Sequence, residues 1–260
     1  MKQLLIIISL FFFAGSFTFA QSDVWSDASA SVLKKGRLEW SLLGKKRLGI
    51  KNNMELIAQP LFFFISPHIG LKKQWNTHSD FNLASVHRIG YPSILLKIMS
   101  REGTGGILPK DSTIPQIITF KNAIIVSKNI KTHYFAAANL GVELALSLGE
   151  SDFPEIDFPF IYRRTAVYHN QFVPYLGIHL GGQLISKIDF ELAFTAYKMT
   201  NDIGGLIFED KAVLFWKKSN KFGVKAGVAS VFGKYAYGND ARLIPVIDVV
   251  LGFGGSQQKS

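Results

Sequence analysis

The sequence predicts an all-β fold, an antiparallel up-and-down transmembrane β-barrel of about 10–12 strands preceded by a cleaved signal peptide. Two-residue alternation recurs along most of the chain, an export signal stands at its start, and no later apolar run reaches the length of a membrane-spanning helix. Alternation is clearest from Arg242 to Phe253. Leu243, Pro245, Ile247, Val249, Leu251 and Phe253 fall on one side of that segment. Arg242, Asp248 and Gly252 fall on the other, with Ile244, Val246 and Val250 among them. Successive side chains of a strand point to opposite faces, so this strand has one wholly apolar face and one that carries charge.

The export signal is built from a basic start, Met1-Lys2, and a nearly unbroken hydrocarbon run from Leu4 to Phe13. Thr18-Phe19-Ala20 sets small residues at the positions a signal peptidase reads, which places cleavage before Gln21. That run is about ten residues, short of the roughly twenty that a spanning helix needs. The expected organisation is a signal peptide over 1–20, an N-terminal periplasmic segment over 21–36, a barrel over 37–253 and a polar tail over 254–260. The chain has no Cys, which excludes a lipoprotein anchor, disulfides, thiolate metal sites and Cys catalysis.

Further strands read out in order. Leu38, Trp40 and Leu42 alternate with Arg37, Glu39 and Ser41, and Met54, Leu56 and Ala58 alternate with Asn53, Glu55 and Gln59, with Ile57 breaking the polar set. Val142, Leu144, Leu146 and Leu148 oppose Gly141, Glu143, Ala145 and Ser147, a strict period of two that favours a strand over a helix. Phe172, Pro174, Leu176, Ile178, Leu180 and Leu184 stand against Tyr175, Gly177, His179, Gly181 and Gln183. Ile188, Phe190, Leu192 and Phe194 face away from Asp189, Glu191, Thr195 and Tyr197, and 221–233 repeat the theme with Lys221 and Lys225 on the polar side. Lys51-Asn52-Asn53, Asn76-Thr77-His78, Asn201-Asp202, Ser219-Asn220 and Gly238-Asn239-Asp240 read as turns. Ser100 to Pro115 and Gly149 to Pro159 read as long loops, which in a barrel belong on the outer face.

Such faces suit either of two environments. In a secreted soluble barrel or sandwich the apolar side points inward and binds an apolar ligand. In a membrane barrel it points to lipid and the polar side lines the interior. The chain is 48% hydrophobic and 18% charged, its polar faces are rich in Gly, Ser and Ala, and Trp40, Tyr91, Tyr162, Tyr168, Trp216, Tyr235 and Tyr237 lie close to strand ends. These features favour the membrane barrel with an aromatic girdle.

The Phe19-Ala20-Gln21 junction, the run Lys217-Lys218-Ser219-Asn220-Lys221-Phe222-Gly223, and Gly233-Lys234-Tyr235-Ala236-Tyr237-Gly238 followed by Pro245-Val246-Ile247-Asp248 carry a resemblance. In these, the chain resembles poorly characterised outer-membrane β-barrel proteins of the Bacteroidota, diffusely over about residues 37 to 253. The resemblance implies a fold and a location rather than an activity, with outer-membrane lipid and the barrel-assembly machinery as partners. Barrels of this kind usually end at the aromatic which that machinery reads, whereas here Phe253 is followed by Gly254 to Ser260.

With lipid on one side, the lumen-lining polar set becomes Arg37, Glu39, Glu55, Glu143, His179, Gln183, Asp189, Glu191, Lys225, Arg242 and Asp248. Charges in a low-dielectric wall must be paired or wetted, so this set either knits a plugged interior or sets selectivity for small solutes. The expectation is a structural or passive pore role with no cofactor, no metal and no catalytic residues. There is no Gly-x-Ser-x-Gly, no His-Glu-x-x-His and no phosphate loop, and the six histidines share no metal-ligand spacing. A barrel lipid hydrolase would need Ser147 or Ser186 to meet a histidine in space. Asp152, Glu155 and Asp157 lack the ligand density of a dedicated calcium loop. Net charge is +10, or +9 once Lys2 leaves with the signal peptide. Lys45-Lys46-Arg47, Lys72-Lys73, Arg163-Arg164 and Lys217-Lys218 read as basic strand ends suited to phosphorylated headgroups or to water, and nucleic acid is no partner for an exported chain.

Overall fold

Twelve strands close on themselves in the computed structural model, which describes residues 26–59, 63–75, 81–100, 113–130, 133–150, 172–199, 205–235 and 238–254. They are β1 (Leu38–Ser41), β2 (Lys46–Lys51), β3 (Met54–Ala58), β4 (His68–Trp75), β5 (Phe81–Gly90), β6 (Gln116–Ile130), β7 (Tyr134–Leu148), β8 (Phe172–Ile185), β9 (Ile188–Lys198), β10 (Leu206–Ser219), β11 (Phe222–Tyr235) and β12 (Gly238–Phe253). Among the described residues a single helix, α1 (Ser93–Met99), follows β5. Each strand pairs antiparallel with its sequence neighbours, and β1 closes the ring on β12 with Leu38 opposite Phe253 and Trp40 opposite Leu251. The segment that alternates most cleanly in sequence is thus the last strand, and it seals the barrel. No helix among the described residues is long and apolar enough to cross a membrane.

Alternation decides which side chains go in. On β7, Phe135, Ala137, Glu143 and Ala145 are buried in the interior, while Tyr134, Leu140, Leu146 and Leu148 stand out from the wall. Leu140 is 63% exposed, and on β12 Leu243 and Ile247 reach 72% and 65%. Glu55 and Lys72 are 0% exposed. Among the described residues the outer face is thus largely apolar, while the interior holds buried charges alongside small and apolar side chains.

Among the described residues the outer face carries polar pairs at mid-wall. His87 Nδ1 lies 2.8 Å from Asn122 Oδ1, and the Ser230 hydroxyl donates to Asp210 at 3.3 Å.

The two rims differ. The β2–β3, β8–β9 and β10–β11 turns span only two residues each, 52–53, 186–187 and 220–221, and lie at the same end as the chain's approach to β1. The β5–β6 and β7–β8 connections leave from the opposite end. Of the long loops expected there, 101–112 and 151–159 lie outside the described residues. Gly238-Asn239-Asp240, read from sequence as a turn, instead opens β12. Trp40, Trp75, Phe81, Tyr134, Trp216 and Phe253 all point outward near the short-turn rim. Lysine ammoniums sit over three of these rings: Lys46 over Trp40 at 5.2 Å, Lys73 over Trp75 at 3.9 Å and Lys128 over Phe81 at 5.1 Å. Rings with a charged tip above them form the kind of belt that marks an apolar–aqueous boundary.

Wall height varies around the ring. β6 to β8 and β10 to β12 run 14 to 16 residues, but β1, β2 and β3 have only 4, 6 and 5. β1 covers β12 only from Val250 to Phe253, supplemented by the Leu42 N–H donating to the Val249 carbonyl at 2.9 Å. That bond fixes the backbone groups of Val249, and by the two-residue period those of Pro245, on the low side of the wall. Proline lacks an N–H, so a position without a described ladder partner is where a strand accommodates it. Above the interior, α1 is tied to β6 through the Ser93 hydroxyl, which donates to the Pro115 carbonyl at 2.9 Å and accepts from the Ile117 N–H at 2.7 Å. Leu96 of α1 joins Ile114, Ile117, Val173, Tyr175, Tyr197 and Ile207 in an apolar cluster inside the ring.

Candidate functional site in the barrel lumen

The strand register itself assembles the interior charges. Glu39 of β1 is directly opposite Arg47 of β2, and Glu55 of β3 is directly opposite Lys72 of β4. Arg47 reaches both acids, at 3.2 Å to Glu39 and at 2.8 and 3.1 Å to Glu55. Lys72 Nζ lies 4.0 Å from Glu55, and Arg37, at the foot of β1, lies 3.8 Å from Glu39 while its guanidinium donates to the Asn220 carbonyl at 2.6 Å. The desolvation of these charges is offset by their pairing, with both Glu55 oxygens and one Glu39 oxygen accepting from Arg47.

The far wall carries three more pairs. Lys121 meets Glu143 at 2.6 Å directly across β6 and β7, Lys211 meets Glu191 at 2.5 Å, and Lys217 meets Asp189 at 2.6 Å. Of the remaining residues expected in the lumen, His179 points in and contacts Asn139 at 2.8 Å, and Gln183 donates to the Ser186 carbonyl at 3.0 Å near the short-turn rim. Asp248 is buried and accepts from the Ser41 hydroxyl and, at 3.0 Å, from the Leu43 N–H. Lys225 is half-buried opposite it. Arg242 has the inward parity of Asp248 but is exposed, near the long-loop rim.

Arg47, Lys72 and Lys217 were read from the sequence as basic strand ends for water or headgroups, and their inward placement corrects that. Each belongs to a run of two or three adjacent cations. A strand must send two neighbours to opposite faces, so Arg47, Lys72 and Lys217 go in while Lys46, Lys73 and Lys218 go out. The same period-two rule that found the acids would have found their partners.

A second feature carries no periodic signal. Residues 26–35, part of the 21–36 segment expected to lie in the periplasm ahead of the barrel, instead run inside the ring. The Ser26 hydroxyl donates to Glu191 at 2.8 Å, Lys72 donates to the Ser29 carbonyl at 2.6 Å, and the Ala30 N–H donates to the Ser127 hydroxyl at 2.9 Å. The Leu33 N–H donates to Glu55 at 2.9 Å, and the Gly36 N–H to the Gly49 carbonyl at 2.8 Å. Asp27 is paired with Lys45, whose ammonium holds its carboxyl well below the usual carboxylate range against the opposing pull of burial. The segment therefore touches β2, β3, β4, β6 and β9, strands on different sides of the ring. Ala28 and Ala30 pack among Ala84, Ala123 and Ala137, inward residues small enough to leave room for it. At Gly49 a Cβ would stand 2.0 Å from the Lys34 carbonyl oxygen, so glycine is what lets the segment pass.

Beside the segment a cavity of about 230 Å³ remains, lined by Ser41, Lys211, Phe215, Lys225, Val246 and Asp248 among others. Among the described residues no three His, Cys, Asp or Glu side chains converge to hold a metal ion. No known protein-family model matches the chain, and no curated protein matches it significantly.

Proposed function

We propose that this is an outer-membrane protein whose polar lumen is held closed by its own N-terminal segment, a structural or gated transport barrel rather than an open porin. The supporting observation is the pairing of an apolar outer wall, belted by aromatics and lysines at the short-turn rim, with an interior whose charges tie down residues 26–35. In this reading the short-turn rim faces the periplasm, the long connections face outward, and the partners are outer-membrane lipid, the assembly machinery and small solutes. The Bacteroidota-like motifs fit the same location.

Planar-bilayer conductance tests the closed state. The mature protein conducts little, and removal of residues 26–35 opens a steady conductance; sustained conductance from the intact protein overturns the plug. A secreted soluble barrel is the second reading, and the outward His87–Asn122 and Asp210–Ser230 pairs are the observation in its favour. Recovery of the untagged protein in a detergent-free soluble fraction would establish it in place of the first.

A further inference from the structure

Charge accounting around the cavity leaves one acid and one base over. Asp27 is paired with Lys45, Glu39 with Arg47, Asp189 with Lys217 and Glu191 with Lys211. Asp248 holds a hydroxyl and a backbone N–H but no cation in the described structure, and Lys225 makes no ion pair among the described residues. Their backbones are direct cross-strand partners on β11 and β12, yet the side chains diverge. Lys225 leans over the Phe215 ring, 5.3 Å from its centre, and Asp248 turns to the β1–β2 turn. Flanking them, the lining includes the apolar side chains of Val213 and Phe215 on β10 and of Val246 and Val250 on β12.

We propose that this cavity binds a small zwitterion with an apolar side chain, an apolar α-amino acid or the like. The carboxylate is received by Lys225, the ammonium by Asp248, and the side chain by the Phe215–Val250 wall. A zwitterion leaves the charge balance of the cavity unchanged, whereas a simple anion or cation would add an uncompensated charge to a partly desolvated site. The volume, about 230 Å³, is below the roughly 300–1,000 Å³ of sites for drug-sized ligands, which limits the occupant to a small metabolite.

Isothermal titration of the detergent-refolded full-length mature protein with leucine, hexanoate and isopentylamine tests this, and it does so wherever the protein resides. Leucine binds, and each single-charge analogue binds at least tenfold more weakly. Lys225→Gln, which breaks no ion pair of the described structure, weakens leucine at least tenfold, and Asp248→Asn does the same, with unchanged circular dichroism establishing that each variant folds. Absence of leucine binding overturns the proposal, as does Lys225→Gln binding leucine as the wild type does. Hexanoate binding as tightly as leucine removes Asp248 from the site and overturns the zwitterion.

Discussion

Replacing Arg47 by Met separates a lumen held by charge from one merely lined by it. Arg47 is 8% exposed and makes three hydrogen bonds, two to the fully buried Glu55 and one to Glu39. Removing one partner of a buried pair costs about 3–5 kcal/mol, because the surviving charge stays desolvated without its counter-ion. Here two acids survive, but each keeps a more distant cation, Arg37 at 3.8 Å from Glu39 and Lys72 at 4.0 Å from Glu55. The cost therefore falls at the lower end, about 3 kcal/mol. Lys46→Met is the matched control, one residue away on the outer face, where the ammonium over Trp40 is worth about 0.5–1 kcal/mol. Urea unfolding from lipid vesicles, followed by tryptophan emission, reads both variants as midpoint shifts. A loss under about 1 kcal/mol for Arg47→Met, or an equal loss for Lys46→Met, refutes the inside–outside division of the cationic runs.

Other perturbations address the outer wall and the plug. Leu140→Arg places a cation on the outer face at mid-strand and costs about 2–4 kcal/mol in a bilayer, whereas an exposed substitution on a soluble protein stays within about 0.5 kcal/mol; an unmoved midpoint in vesicles contradicts a lipid-facing wall. The Asp27 carboxyl is depressed in the folded state by Lys45, so its contribution is fully present above the unfolded value of about 3.9 and is lost as pH falls through the lower folded value. Protease cleavage within 26–35 is then unchanged from pH 8 to pH 5 and rises only in strong acid, and release between pH 8 and pH 6 contradicts the assignment. Gly49→Ala drives a methyl into the Lys34 carbonyl and exposes the same segment to protease at neutral pH; an unchanged cleavage pattern means that the segment does not pass Gly49.

The barrel was legible because its rule is local. A two-residue period repeated at Val142–Leu148, Phe172–Leu184, Ile188–Phe194 and Arg242–Phe253 fixes both the strands and their faces, and β7, β8, β9 and β12 follow it. Ile57, which breaks the polar side of its segment, is buried inside beside Glu55, where an apolar residue costs nothing. Acids stood out on otherwise small-residue faces, so Glu39, Glu55, Glu143, Asp189, Glu191 and Asp248 were visible as a set. The cations of Glu39, Glu55 and Asp189 were hidden in Lys and Arg runs that look like solubilising turns until the pleat divides them, whereas Lys121 and Lys211 stand singly in their strands. The course of residues 26–35 was not legible, because its partners lie far away in sequence, up to 165 positions for the Ser26 hydroxyl and Glu191. The pairing of Ser41 with Asp248, which draws that acid away from Lys225, likewise depends on barrel closure rather than on any local pattern.

The central claim is that the outer face meets hydrocarbon. The chain contains no Cys, so single cysteines at Leu140, Ile178, Leu243 and Ile247 on the outside, and at Ser127 and Ala137 on the inside, can each carry an environment-sensitive fluorophore without background. In vesicles of brominated lipid the account predicts strong quenching at the four outer positions and none at the two inner ones. Equal, weak quenching at all six positions, with water-like emission from the outer four, would contradict it.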